Sequence, residues 1–538
     1  MVGVAKGYVR SRLDDVMLLP PHPRDWLPAG HVVWFVRDVI KALDTSALHA
    51  RAKLGGAGRA PYDPDDLLGV LVYAYAGGLR SSRQIERRCR EDVAFMVLTG
   101  LNHPDHVTIS RFRKNCDQVI ADLFDQVLLL CAKAGLARLN HVAVDGTKIA
   151  ADASPGLTRD VDGLRGTGRR WLNEAARVDD EEDARFGEDR RGDELPEPLA
   201  DPTQRKQVIK DLLADAGADP DRKRGRARAG KARRGGRALD LADQAEADAE
   251  AKAAPEVAEA EAKVARAEQA LVEARAKAQA QQDAYQRRLA EAAARGRRPV
   301  GQAPAPVEQT RLVTRAQGVL RARLAQLKRR QAKVAQLVGK RNLTDPDARF
   351  MPVRGGGFLL GYNAQLAVSA DHLILAYNLV QDPGDQQQLK PMLAELDRVA
   401  TMLGQATTDP TLSIGTVLFD AGYASITNLE APGPDRLIAL GNWRNIVGDT
   451  LADSPPPDDA SAWYKMAWRL RTPEAQALYK KRGATVETVN SHLKQPRGLR
   501  RFSRRRLPAV KAELGLAALT TNLMRLFTSR TAQPATTH

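Results

Sequence analysis

Strand-forming sequence in this chain comes in two widely separated blocks, so any sheet must close around what lies between them. The first is HVAVDGTKI at 141–149, a short β-branched run that ends in a small, polar turn and reads as a buried strand. The second begins only at 357–381, where GFLLGYNAQLAVSADHLILAYNLVQ offers two apolar runs separated by Ala370–Asp371, the pattern of a hairpin. A helix follows in QQQLKPMLAELDRVATML, then the strand TVLFD at 416–420 and a strand-like RLIAL at 436–440. Strands interleaved with helices predict an α/β sheet drawn from both blocks.

The intervening residues, 155–345, have another chemistry. They begin acidic, turn intensely basic at 222–237 (RKRGRARAGKARRGGR) and become rich in Ala, Glu and Lys. The basic run reads as a flexible loop able to bind phosphate without sequence preference, or as simply disordered. Val257, Val264 and Leu271 are seven apart, as are Val313, Leu320, Leu327 and Val334. Heptad spacing predicts two long helices with an apolar seam. The Gly/Pro-rich stretch at 295–306 separates them, which predicts an antiparallel coiled-coil hairpin.

Residues 1–140 read as an all-α domain, with helical periodicity in His31–Leu43, Leu67–Tyr75 and Val119–Leu130. Ser81 and Ser82 stand where an N-cap belongs, ahead of RQIERRCREDVAFMVL read as one helix. DHVTISRFRK offers a further short helix whose exposed side chains include Arg111, Arg113 and Lys114, a candidate DNA-docking element. The C-terminal part, 465–530, is helical again.

Among the 538 residues the formal net charge is +16, which makes a polyanion the natural partner. Charge alone also fits a basic ribosomal or chromatin-associated protein without chemistry. Cys89, Cys116 and Cys131 form no CxxC pair, and His103 and His106 are too few and too irregular for a zinc site. The N-terminus lacks a signal-peptide pattern, and no apolar run is long enough to span a membrane. The expectation is a cytoplasmic protein with access to DNA. RGGGF at 354–358 lacks the Lys-Ser/Thr of a phosphate-binding loop, so no nucleotide cofactor is expected.

Three acids stand on rigid elements rather than in charge runs. Asp145 ends one predicted strand and Asp420 another, and strand ends followed by tight turns commonly carry functional side chains in α/β sheets. Glu487 shares a helix face with Gly483, Asn490, Ser491 and Lys494, while Val486, Val489 and Leu493 form the packing face. A capping Asp or an idle surface Glu is the plain alternative for each. Three converging carboxylates repel one another, and divalent cations relieve that repulsion. Magnesium takes oxygen ligands, and two ions roughly 3.5–4 Å apart stabilise both oxygens of an in-line phosphoryl displacement. Farther on, PRGLRRFSRRR packs Arg497, Arg500, Arg501, Arg504, Arg505 and Arg506 around Phe502, a density that suits phosphate contacts.

The sequence also resembles bacterial insertion-sequence transposases of the DDE type, most closely the group named after insertion sequence 1182, with a catalytic domain like that of the insertion-sequence-4 group. The resemblance rests on PYDPDDLLGVLVYAYAGGLRSSRQIERRCREDVAF, HPDHVTISRFRK, HVAVDGTKIAADAS, GYNAQLAVSADHLI, VLFDAGYAS and YKKRGATVETVNSHLKQPRGLRRF, in that order. It implies a ribonuclease H-like catalytic domain, 141–154 with 346–530, split by the 155–345 insertion and preceded by a helical DNA-binding domain at 1–140. It further implies that Asp145, Asp420 and Glu487 bind two Mg²⁺ or Mn²⁺ ions, and that Tyr479, Arg482 and Lys494 contact DNA near the transposon end. Arg482 stands one residue farther from the acid than in the related insertion-sequence-4 pattern, and VETVNSHLK replaces the usual VEPVFGQIK, with Asn490 for an aromatic. The implied partners are double-stranded DNA, as transposon ends and target, and a second copy of the chain. A catalytically silent or domesticated DNA-binding protein and a plain metal-dependent nuclease remain as alternatives.

Overall fold

The computed structural model describes residues 22–51, 61–186, 224–296, 302–337, 339–353, 355–407, 413–441 and 455–531. The chain divides into two units, residues 1–153 with 347–538 and residues 154–346. The first unit opens with α1 (Val32–Ala42), α2 (Pro64–Ala76), α3 (Ser82–Glu91), α4 (Val93–Leu98), α5 (His106–Cys116) and α6 (Ile120–Lys133), followed by strand β1 (His141–Ala150). Local chemistry sets the boundaries. Pro64 sits at the first turn of α2, and Asp63 accepts from the Asp65 amide at 2.8 Å. The single helix expected after Ser82 is two, because Asp92 is extended and accepts from the Ala94 amide at 2.9 Å, ending α3 and capping α4.

The second unit holds β2 (Thr158–Arg159), α7 (Val161–Phe186), α8 (Arg224–Ala294), α9 (Arg311–Leu337) and β3 (Arg341–Asn342). The backbone is helical from Arg224 onward, where a flexible loop was expected over 222–237; residues 222–223 lie outside the described residues. Arg, Lys and Ala all favour helix there. Leu271, Ala274 and Ala278 of α8 bury against Val313 of α9. Ion pairs Arg275–Glu308 (2.8 Å) and Arg330–Glu256 (3.0 Å) fix the two helices antiparallel. The seam is largely alanine, with Ala253, Ala260 and Ala267 buried between the heptad positions, which lets the backbones approach closely. Val334 and its neighbours lie outside the described side chains.

The first unit resumes with β4 (Arg349–Pro352), β5 (Phe358–Ser369), β6 (Ile374–Val380), α10 (Leu389–Ala406), β7 (Thr416–Phe419) and β8 (Arg436–Ile438). It ends with α11 (Ala462–Arg469), α12 (Pro473–Tyr479), α13 (Lys481–Lys494) and α14 (Leu507–Thr531). In the sheet, β1 lies between β5, antiparallel, and β7, parallel. β8 extends the sheet parallel to β7, and the far edge of β5 is shared by β4 and β6, both antiparallel. This mixed sheet with its flanking helices is consistent with a ribonuclease H-like fold.

A boundary at residue 140 corresponds to no break in the core, because helices from both ends of the chain and the sheet share one hydrophobic cluster running from Val33 to Leu526. Helix α14 explains this. It is apolar around most of its circumference and so needs cover on every side; it packs on α2, α6 and β6. One charge is buried with it. Glu513, 1% exposed, accepts from the Ser503 hydroxyl (2.7 Å), the amides of Ser503 and Arg504, and Arg80 at 3.0 Å. Arg80 also donates to the carbonyls of Gly498 and Arg501, both at 2.6 Å. Arg80→Met leaves this buried carboxylate without its cation, and the expected cost is about 3–5 kcal/mol, read from urea unfolding at constant pH. A loss below about 1 kcal/mol would show that the knot is not what joins the two ends.

Candidate active site

The central strand positions the first acid. β1 and β7 pair Val142 with Val417 and Ala143 with Leu418, so two residues on Asp145 comes level with Asp420. In parallel neighbours at one level, side chains share a face. β7 stops at Phe419, and Asp420 caps a single 3₁₀ turn, Ala421–Tyr423, accepting from the Gly422 amide at 2.9 Å. β1 continues past this point, leaving Asp145 beside an open strand end.

Helix α13 closes one side. Asn490 Nδ2 lies 3.3 Å from Asp145 Oδ2, and an Arg482 Nη lies 3.6 Å from Oδ1. Buried Val486, Val489 and Leu493 anchor the helix. The Tyr479 hydroxyl donates to the Phe419 carbonyl at 3.1 Å, tying the end of α12 to the residue before Asp420. Glu487 shares the helix face of Asn490 and Lys494. Its carboxylate is exposed and lies over Gly483, 3.7 Å from where a Cβ there would stand. Asp145 and Asp420 are thus brought together directly, whereas Glu487 is brought onto the helix that touches Asp145. The ligand atoms of the three acids do not form a closed group within 4.8 Å of one another.

Burial, then the charges of Asp420 and Asp385, push the Asp145 carboxyl up to about 6, against the opposing pull of Arg482. Burial also lowers the Lys494 ammonium, an effect that Asp145 opposes. An acid of raised pKa beside a specific cation marks a candidate functional site. The donors are all oxygen, the set that suits a hard divalent cation. Asn490 Oδ1 adds a buried oxygen with no hydrogen-bond partner among the described residues.

Asp385 is the residue that sequence reasoning missed. Its Oδ1 accepts from Asn363 and Gln365, both at 2.7 Å, and pairs with Lys148 at 3.4 Å. A Cβ at Gly146 would stand 2.3 Å from that oxygen, so the position after Asp145 admits only glycine while Asp385 stays where it is. The available signal was an acid shortly after a strand, in VQDPGDQQQ, hidden because it also reads as the cap of the helix that follows.

The expected DNA contacts divide. Arg111, Arg500 and Arg501 are exposed. Arg113 is not a free surface cation, since it donates to the Arg80 carbonyl (2.6 Å) and the Ser82 hydroxyl (3.1 Å). Arg497 donates to the Ala76 carbonyl, Arg504 pairs with Asp117, and Arg505 pairs with Asp152 at 2.9 Å. Arg497 and Arg504 therefore hold the fold, whereas the Arg505 pair lies at the surface. Elsewhere His49, Asp63 and Asp65 form an exposed group at the start of α2, where Asp63 caps the helix and Asp65 pairs with His49. No described helix is long and apolar enough to cross a membrane.

Comparison with known proteins identifies two domains in the chain. Residues 21–115 match the family described as a transposase domain (DUF772), and residues 339–523 match the transposase DDE domain. No curated protein and no solved structure matches the chain significantly. DDE domains act on DNA, cleave or transfer phosphodiesters, and generally use divalent metal ions. The two matches occur in order on either side of residues 116–338, and the DDE match covers Asp385, Asp420 and Glu487: the chain belongs to the DDE-type insertion-sequence transposases.

Proposed function

We propose that Asp145, Asp420 and Glu487 hold two Mg²⁺ or Mn²⁺ ions, with which the protein cuts and rejoins DNA at the terminal inverted repeats of its insertion sequence. The observation that carries this reading is the level placement of Asp145 and Asp420 on adjacent parallel strands, in surroundings that make the ionised Asp145 costly. When bound, such ions activate a water or 3′-hydroxyl and stabilise the leaving oxygen.

The chain's own residues prepare that chemistry. Asn490 and Arg482 orient Asp145 from α13. Tyr479 fixes the strand end that presents Asp420. Lys494, Arg500, Arg501 and Arg111 supply phosphate contacts, which set position and salt dependence rather than sequence choice. Tyr479 and Arg482, turned inward, act on DNA only at the mouth of the site. Strand transfer exchanges one phosphodiester for another and so needs no nucleotide. Pairing two transposon ends calls for a homodimer on DNA, in the cytoplasm at the nucleoid. In this reading residues 1–140 bind the ends, 141–154 with 346–530 catalyse, and the coiled-coil hairpin of 155–345 spaces or supports the assembly. Assignment to the group of insertion sequence 1182 rests on the ordered motifs.

Purified protein with Mg²⁺ or Mn²⁺ and DNA carrying the inverted repeats tests this. Asp145→Ala and Asp420→Ala each lower cleavage by about a thousandfold, equivalent to about 4 kcal/mol. Parent-like cutting by either variant sinks the assignment. Binding without cutting in both metals favours a silent binder, and cutting indifferent to the repeats favours a plain nuclease.

A second expectation concerns pH. Asp145 titrates near 6 when folded and near 3.8 when unfolded, so the unfolded chain releases its proton first. Stability from this group is present below pH 4 and is lost as pH rises toward 6. Without metal, Asp145→Asn should match the parent near pH 4 and exceed it by up to about 3 kcal/mol at pH 7. Equal unfolding curves across that window would show that burial does not tax the carboxylate. On DNA, Arg500→Ala and Arg501→Ala should each reduce the slope of log affinity against log salt by about 1, equally for repeat and unrelated sequences.

A further inference from the structure

We propose that Asp385 is a fourth carboxylate of this site, a positioning residue that steadies the Asp420 turn through Gln365 and Tyr423 and strengthens the hold of the Asp145–Asp420 pair on a divalent cation. The proposal rests on the metal-binding role given above to Asp145 and Asp420.

The two oxygens of Asp385 have different work. Oδ1 accepts from Asn363 and Gln365 and faces the Lys148 ammonium. Asn363 and Gln365 are fully buried and stand two residues apart on β5, so their amides leave the same face and converge on one acceptor. Gln365 carries the connection onward. Its Oε1 accepts from the Tyr423 hydroxyl, and this fixes the amide with Nε2 toward Asp385. Tyr423, also buried, closes the 3₁₀ turn that Asp420 caps through Gly422. A continuous hydrogen-bonded route therefore runs from Asp385 to the backbone that aims Asp420.

Oδ2 of Asp385 has no hydrogen-bond partner among the described residues. It stands 3.5 Å from the point where a Cβ on Gly422 would be, and Asp420 Oδ1 stands 3.1 Å from that same point. Glycine leaves the space between the two carboxylates clear of any side chain. A buried polar cluster of this kind is poorly explained by stability, since apolar residues of similar volume serve a core as well or better. Groups that orient metal ligands and tune the local charge are a known use for such clusters, and losing one typically weakens metal affinity about 10- to 100-fold.

The test is Mn²⁺ binding by the full-length protein without DNA, followed by paramagnetic resonance of the free ion, with thermal unfolding of the metal-free protein alongside. Asp385→Asn keeps an oxygen for the two amides and removes the charge; its Mn²⁺ affinity should fall at least about tenfold with little change in midpoint. Gln365→Met breaks the route while keeping the charge and the volume. It should also weaken binding, and it serves as the readout should Asp385→Asn fail to fold. Asp145→Ala is the reference for loss of a ligand. If Asp145→Ala loses Mn²⁺ while folded Asp385→Asn and Gln365→Met bind within twofold of the parent, the role of Asp385 is refuted and the three-acid site stands. If Asp145→Ala also binds as the parent does, the metal site itself is misplaced and this inference falls with it.

Discussion

The parallel pairing of β1 with β7 is the contact on which the site depends. No hairpin can join parallel strands, so the chain must cross over between them, and here the crossover carries β5, β6 and α10. That arrangement brings residues far apart in sequence to one level and leaves β1 running on where β7 has stopped. An acid at that level on β1 is flanked by a strand on one side and open space on the other. It is buried enough to resist ionisation and open enough to take a ligand. Slipping the register by one residue would turn one of the two acids to the opposite face.

A second constraint lies where the chain's two ends meet. The basic run after Lys494 looks uniform in sequence, yet its arginines have opposite fates. Arg497 and Arg504 turn inward to Ala76 and Asp117, Arg505 pairs with Asp152 at the surface, and Arg500 and Arg501 face solvent. Arginine suits the inward role because its planar, permanently charged fork meets a carboxylate in two places, as Arg504 does with Asp117. The partners come from the N-terminal helices and the end of β1, so nothing local to the run could separate structural from exposed positions. The Arg80–Glu513 pair is of the same kind, and it ties the loop after α3's neighbour α2 to the strap that follows Lys494.

The regular elements were legible because their periodicity is local. The strands around Asp145 and Asp420, the hairpin of β5 and β6, and the helix bearing Glu487 all lie where apolar spacing puts them. What escaped has a shared cause. Asp92 breaks a helix through one side-chain hydrogen bond that an apolar pattern does not record. The shared core of N-terminal helices and sheet follows from the all-round apolarity of α14, a demand for cover that does not say who supplies it. Asp385 is known only by the groups that converge on it from β1 and β5. Arg113 reads as exposed on its own helix and is engaged by the loop before α3.

The balance of charge explains how a cluster with this many acids can fold on its own. Asp145 has Arg482 close by, Asp385 has Lys148, and Asp420 spends one oxygen on a backbone amide. Each compensation is partial. The Arg482 contact is longer than a hydrogen bond, and its buried nitrogen has no hydrogen-bond partner among the described residues. Asp145 remains reluctant to ionise despite that neighbour, because burial outweighs it. A site fully neutralised by its own cations would gain little from a metal ion, and one with no cations would strain the fold. Incomplete pairing leaves net negative charge between the strand end and helix α13, which under the proposed function is the charge a divalent ion would satisfy.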